Sequence, residues 1–194
     1  GNATLVRDTR ERAYSELGKK GRGVLCAEGT RSMEEVVSDQ LVGRGWRIAA
    51  AESCTGGLLT KRLTDVPGSS RYLERSYITY SNEAKLQLLG VSASDLIAHG
   101  AVSAPIAEEM ARGARAKSGV DLGVSITGIA GPDGGSDDKP VGTVFIAVCS
   151  PLGEAVRAHR FTGTRTTVRE RAAQTALDML RRHVAELPLD PSVD

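Results

Sequence analysis

The chain has 194 residues, with 25 Lys and Arg against 24 Asp and Glu, a formal net charge of +1. That length holds one domain with a small appendage and is short for two full-sized ones, and the near-zero charge lacks the basic footprint of a protein that works mainly on phosphate backbones. Glycine at 22 residues with only 4% aromatics predicts a turn-rich fold around an aliphatic core, and no apolar run reaches the length that spans a bilayer.

Residues 5–19 have the charge density and periodic apolar positions of a solvated helix; residues 18–23 form a basic break before a short apolar run, Gly23 to Ala27. Arg7, Asp8, Arg10 and Glu11 stand where a signal peptide would carry its apolar region. Cys26, Cys54 and Cys149 are far apart and form no C-x-x-C pair, so a reducing, cytoplasmic setting is expected, without a disulfide framework or a zinc site. Ser32 opens a capping box with Glu35, followed by Val36, Val37 and Leu41 on one face and Gly43 near the helix end. The compact domain is expected to start there and run to about residue 187, with 188–194 as a tail.

Ile48 to Ala51 reads as a buried strand that runs into Glu52-Ser53-Cys54-Thr55-Gly56-Gly57, after which Leu58, Leu59 and Leu63 mark a helix. Pro67 to Ser70 is a turn, Tyr77 to Tyr80 a strand, and Asn82 to Leu89 a short helix ended by Gly90. A helix spans Pro105 to Lys117, with proline at its first position and Gly119 just past its end. Val120 to Thr127 and Val141 to Cys149 lean to β-structure, and the glycine-rich segment between them is a loop of the kind that is functional or disordered. A strand through Ala155 to Phe161 precedes a helix from Thr164 to Leu187, with Val168, Ala172, Ala176 and Val184 on one stripe. The alternation of strands and helices predicts an α/β sandwich.

Ser53 sits between a buried strand and a helix whose first turn holds Thr55, Gly56 and Gly57, where unpaired amides could stabilise an oxyanion. Spacing alone favours the plainer role of a helix N-cap, and Cys54 is a rival nucleophile or an inert buried thiol. His99, His159 and His183 read as structural or surface residues. Lys85 follows a strand end, where α/β sites gather, yet taken alone it reads as a solvated helix lysine. Asp133, Asp137 and Asp138 lack the ordered spacing of a calcium loop and read as solvated acids. Arg165 and Arg169 flank the start of the last helix, a place suited to phosphate but also ordinary for surface arginines.

Four motifs in order, Ala51-Glu-Ser-Cys-Thr-Gly-Gly57, Tyr80-Ser-Asn-Glu-Ala-Lys85, His99-Gly-Ala-Val-Ser103 and Ser125-Ile-Thr-Gly-Ile-Ala-Gly-Pro-Asp-Gly-Gly135 with Lys139-Pro-Val-Gly-Thr143, resemble the CinA C-terminal domain family over about residues 32–185. That family comprises competence/damage-inducible proteins and stand-alone nicotinamide-nucleotide amidohydrolases. The resemblance implies a three-layer α/β/α sandwich with a mixed, mostly parallel sheet, and hydrolysis of nicotinamide mononucleotide to nicotinate mononucleotide and ammonia, independent of metal or cofactor. It makes Ser53 the nucleophile and Lys85 its base, with Tyr80, Thr127, Gly128 and either Arg165 or Arg169 in the substrate pocket; amides of Thr55, Gly56 and Gly57 would hold the oxyanion. It also implies a homo-oligomer. Residues 1–31 resemble the end of the preceding domain of longer family members, so the chain is expected to be an excised C-terminal piece. The rival expectation is a nucleotide-binding or interaction module of a competence- or DNA-damage-associated protein without significant turnover; the near-neutral charge disfavours direct nucleic-acid binding and leaves a protein partner open.

Overall fold

The computed structural model describes residues 31–189. The helix expected over 5–19, the break and apolar run that follow it, and the tail from residue 190 lie outside the described residues.

Ser32 forms the expected capping box: its hydroxyl accepts from the Glu35 amide and the Glu35 carboxylate accepts from the Ser32 amide. This starts helix α1, Met33–Arg44, which Gly45 ends in the left-handed conformation. Strand β1, Ile48–Glu52, is buried throughout, and α2 covers Leu58–Thr64. Strand β2 is Leu73–Ile78. A short helix α3, Asn82–Ala84, widens into a π-helical turn over Lys85–Leu89 and stops at Gly90. Then come α4, Ala93–His99, α5, Ala104–Ser118, β3, Leu122–Gly128, β4, Thr143–Ser150, β5, Gly153–Arg160, and α6, Arg165–Val184.

The strands form one sheet in the order β2-β1-β3-β4-β5. β1 is parallel to both its neighbours, whereas β4 is antiparallel to β3 and β5. Every strand except β4 therefore runs the same way, as a mixed, mostly parallel sheet requires. Side chains alternate across it. Ile48, Ala50, Val124, Ile126 and Ile146 face a core shared with α1, α2 and α6. Ala49, Ala51, Ala147 and Cys149 face the opposite layer, built on α5. That second face is made of small residues, so α5 lies close: a Cβ on Gly123 would stand 2.1 Å from the Ala111 carbonyl oxygen. Among the described residues no helix is long and apolar enough to cross a membrane.

Two elements differ from expectation. β2 starts at Leu73 and ends at Ile78, so Tyr80 lies beyond it. The strand is at the sheet edge and only half-buried, and Glu74 and Arg75 within it hide the alternation that marks a strand. Helix α4 has no counterpart in the sequence reading; it is short, and its start is signalled only by Ser92, whose side chain accepts from the Asp95 amide.

The parallel strands β1, β2 and β3 end together, with Glu52 registered against Ile78 and Ile126. The segments that leave this edge are Ser53–Gly57, Thr79–Lys85 and the glycine loop after Gly128. Helix α5 packs against the π-helical turn that continues the second of them, because Gly113 meets the Leu89 carbonyl with no side chain between; a Cβ there would stand 2.2 Å from that oxygen. Gly113→Ala should therefore lower stability by roughly 1–3 kcal/mol in urea unfolding, although helix propensity alone would raise it by about 1 kcal/mol. A stabilised variant would show that this contact can relax.

Candidate active site

Ser53 continues the β1–β3 pairing by one residue, its amide donating to the Ile126 carbonyl at 2.9 Å. The chain then turns sharply: the Gly56 amide donates to the Ser53 carbonyl at 3.1 Å, and Gly56 and Gly57 take φ of +58° and +96°, values open mainly to glycine. The group that caps α2 is the fully buried Glu52 carboxylate. It accepts from the amides of Gly57 at 3.0 Å, Leu59 at 3.1 Å and Thr60 at 2.8 Å, and from the Thr60 hydroxyl at 2.6 Å. Ser53 is therefore not the cap, and its hydroxyl is left for another partner.

That partner is Lys85. Its side chain is 1% exposed, and Nζ lies 3.4 Å from Ser53 Oγ. The carbonyls of Thr79 at 2.9 Å, and of Tyr80 and Ser81 at 3.4 Å, also surround the amine. Burial pushes the Lys85 pKa below its ordinary 10.5, with Cys54 acting the other way. Two hydrogens of a neutral amine can go to carbonyls while the lone pair meets the serine hydroxyl. The long serine contact is of the kind that tightens when substrate binds. Cys54, also buried, has its thiol pushed up to about 11 by burial; it is protonated at neutral pH and a poor nucleophile.

These residues floor a cavity of about 270 Å³ that also takes in Thr127 and Gly128 at the end of β3. Thr127 is held by its hydroxyl, which donates to the Ala101 carbonyl at 2.8 Å. Gly128 has no room for a side chain, since a Cβ would stand 2.7 Å from the Thr143 carbonyl oxygen. Tyr80, Asn82, Asp133 and Arg165 form the rim. Arg165 clasps it, donating to the Gly131 carbonyl at 2.7 Å and to the Tyr80 hydroxyl at 2.9 Å. The glycine loop is tied down at its other end by Lys139, whose Nζ donates to the His99 carbonyl at 2.6 Å.

The structure thus brings Ser53, Lys85, Tyr80, Thr127, Gly128 and Arg165 to one pocket. Thr55, Gly56 and Gly57 do not line it, and the expected oxyanion role of the two glycines is corrected: the Gly56 amide is spent on Ser53 and the Gly57 amide on Glu52. Arg169 lies behind the turn, donating to the Thr55 carbonyl at 2.7 Å, and is not part of the pocket wall. His183 is engaged with the Ser150 hydroxyl at 2.7 Å and His159 stacks on Phe161; neither they nor His99 line the pocket. Sequence reasoning missed Glu52 and Asn82 as contributors, and it read Asp133, which lines the pocket, as a solvated loop acid. For Glu52 a signal was present: a carboxylate closing an otherwise apolar buried strand needs donors nearby.

A model of the CinA C-terminal domain matches residues 30–184. A CinA-like protein of Syntrophobacter fumaroxidans is 51% identical over 182 residues, 92% of this chain and 42% of that protein. A CinA-like protein of Geobacter sulfurreducens is 52% identical over 161 residues, 83% of this chain and 39% of that protein. The chain spans about two-fifths of the length of the curated relatives it matches. Among solved structures, a competence-damaged protein (CinA) superfamily protein from Klebsiella pneumoniae has a TM-score of 0.76 at 35% identity, covering 80% of this chain and 99% of that one. The competence/damage inducible protein CihA from Agrobacterium tumefaciens has a TM-score of 0.72 at 38% identity, covering 81% and 99%.

The buried, protonated Cys54 thiol should stay unmodified when the folded protein meets iodoacetamide at pH 7, and react once urea unfolds it, as read by peptide mass mapping. Rapid alkylation in the folded state would mean an exposed thiolate and reopen cysteine as the nucleophile.

Proposed function

This chain belongs to the CinA C-terminal domain family, and from that premise and the pocket geometry we propose that it hydrolyses the carboxamide of nicotinamide mononucleotide, giving nicotinate mononucleotide and ammonia. The observation that carries the proposal is a buried amine within reach of a serine hydroxyl on the floor of a pocket of about 270 Å³.

The neutral Lys85 amine takes the Ser53 proton as Oγ forms a bond to the carboxamide carbon and the carbonyl electron pair moves to oxygen. With the Gly56 and Gly57 amides engaged in the turn, the Cys54 amide, on the pocket floor, is the turn's donor left for that oxyanion. The intermediate collapses, the C–N bond breaks, and the Lys85 ammonium returns its proton to the departing nitrogen, which leaves as ammonia. Water then attacks the Ser53 ester with Lys85 again taking a proton, and as the ester C–O bond breaks that proton passes to Ser53 Oγ, restoring the serine and the neutral amine. Acyl transfer of this kind requires no cofactor. Arg165, beside the N-terminus of α6, holds the 5′-phosphate, for which charge-assisted bonds contribute roughly 1.5–3 kcal/mol. Arg169 supports the turn instead. A homo-oligomer acting on a small nucleotide in the cytoplasm completes the proposal.

Ammonia release from nicotinamide mononucleotide is the direct test; nucleotide binding without release would favour an interaction module. Ser53→Ala should cut turnover by roughly 10⁴-fold or more and leave binding intact. An ordinary lysine is only about 0.04% neutral at pH 7, and the neutral amine is the active form. The rate should therefore rise with pH along a single limb and level off above a Lys85 pKa that burial places below 10.5. Lys85→Arg should be nearly inactive, since arginine keeps its proton; substantial activity would put the base elsewhere, with Tyr80 next. Arg165→Ala should weaken use of nicotinamide mononucleotide by at least about tenfold and barely affect nicotinamide riboside, while equal losses on both would count against phosphate recognition.

A further inference from the structure

We infer that Glu52 is a positioning residue for the nucleophile: its carboxylate locks the turn that aims Ser53 Oγ at Lys85. The inference rests on the reading of Ser53 as nucleophile, and assigns a role to a buried residue that takes no part in the proton transfers proposed above.

The chain leaves β1 at Glu52, passes through Ser53, and at Gly57 returns its amide to the Glu52 side chain at 3.0 Å. A single residue thus closes a ring around the serine. Two of the enclosed residues are glycines at positive φ, Gly56 and Gly57, which have the widest conformational freedom of any residue and need an outside restraint to stay put. Glu52 supplies it with four donors, the amides of Gly57, Leu59 and Thr60 and the Thr60 hydroxyl. Thr60 is in turn bonded to Ser76 of β2 at 2.7 Å. Opposite, Arg169 straps the Thr55 carbonyl.

The same residue reaches the base through its main chain. The Glu52 carbonyl accepts from the Thr79 amide at 2.9 Å, and the Thr79 carbonyl accepts from Lys85 Nζ at 2.9 Å. Glu52 therefore stands between the nucleophile's turn and the amine's cradle. Its charge is suited to the place. All four groups facing it are donors at the positive end of α2, which a carboxylate satisfies; a glutamine would turn its own NH₂ toward the Thr60 amide or toward Gly57 and Leu59.

The test compares Glu52→Gln and Glu52→Asp with the unmodified chain, each checked for folding by circular dichroism. kcat and KM for nicotinamide mononucleotide are measured, together with the rate at which a fluorophosphonate modifies Ser53, read by mass spectrometry. Misaiming the serine should lower kcat about 100-fold while KM stays within about twofold, and Ser53 modification should slow in parallel. A folded variant with unchanged kcat and unchanged modification rate overturns the inference, as does a rise in KM at constant kcat. If neither variant folds, Glu52 is a determinant of the fold alone and the inference also falls. Unmodified protein that takes the fluorophosphonate on Ser53 but releases no ammonia overturns the substrate reading only, and the modification rates then decide on Glu52. Protein that does neither overturns both.

Discussion

A lysine amine shut away from water beside a serine is an arrangement that folding alone does not favour, because desolvation penalises the ammonium and an unpaired amine wastes hydrogen bonds. The structure meets the second cost with three carbonyls of Thr79, Tyr80 and Ser81. It leaves the first in place, and the result is an amine whose pKa burial pushes below its ordinary 10.5. The rest of the pocket follows from the need to bring that amine and Ser53 to the same edge of a sheet. Parallel pairing of β1 with β2 does so, since both strands then deliver their following residues at one end.

Small residues make the closure possible. Ala49, Ala51 and Gly123 flatten one face of the sheet, and Gly113 lets α5 rest against the end of the π-helical turn that carries Lys85. On the opposite side of Ser53, two positive-φ glycines let the chain reverse within the space of one turn, and Glu52 fixes the reversal. The helix N-terminus that such a turn usually offers to a ligand is thereby occupied by the protein's own carboxylate. On the proposed function, the phosphate of the nucleotide would then be met elsewhere, by Arg165 at the rim.

Much of this was legible from residue patterns. The capping box at Ser32, the glycine stops at Gly90 and Gly119 and the apolar run before Ser53 marked boundaries that the structure keeps to within a few residues. The pairing of Ser53 with Lys85 came from motif resemblance, because residues 32 positions apart meet only through strand pairing that local patterns do not encode. Arg165 and Arg169 could not be told apart for a related reason. Four residues apart on one helix, they share a face, and only the placement of the Ser53 turn and of Gly131 decides that one strap holds Thr55 and the other clasps the rim. Edge strand β2 was expected too late in the chain, at Tyr77 to Tyr80, and helix α4 was missed, because half-buried, charge-bearing segments carry little periodicity.

The central claim is that Lys85 is held below the ordinary lysine range by burial next to Ser53, and it can be tested without substrate. The protein labelled with ¹³C at the lysine ε-carbon can be titrated by NMR, with Lys85→Met identifying the Lys85 resonance. A midpoint clearly below 10.5 for that resonance is the result expected. A Lys85 resonance that titrates together with the exposed lysines would contradict the account, since its amine would then be an ammonium at neutral pH and unable to take the serine proton.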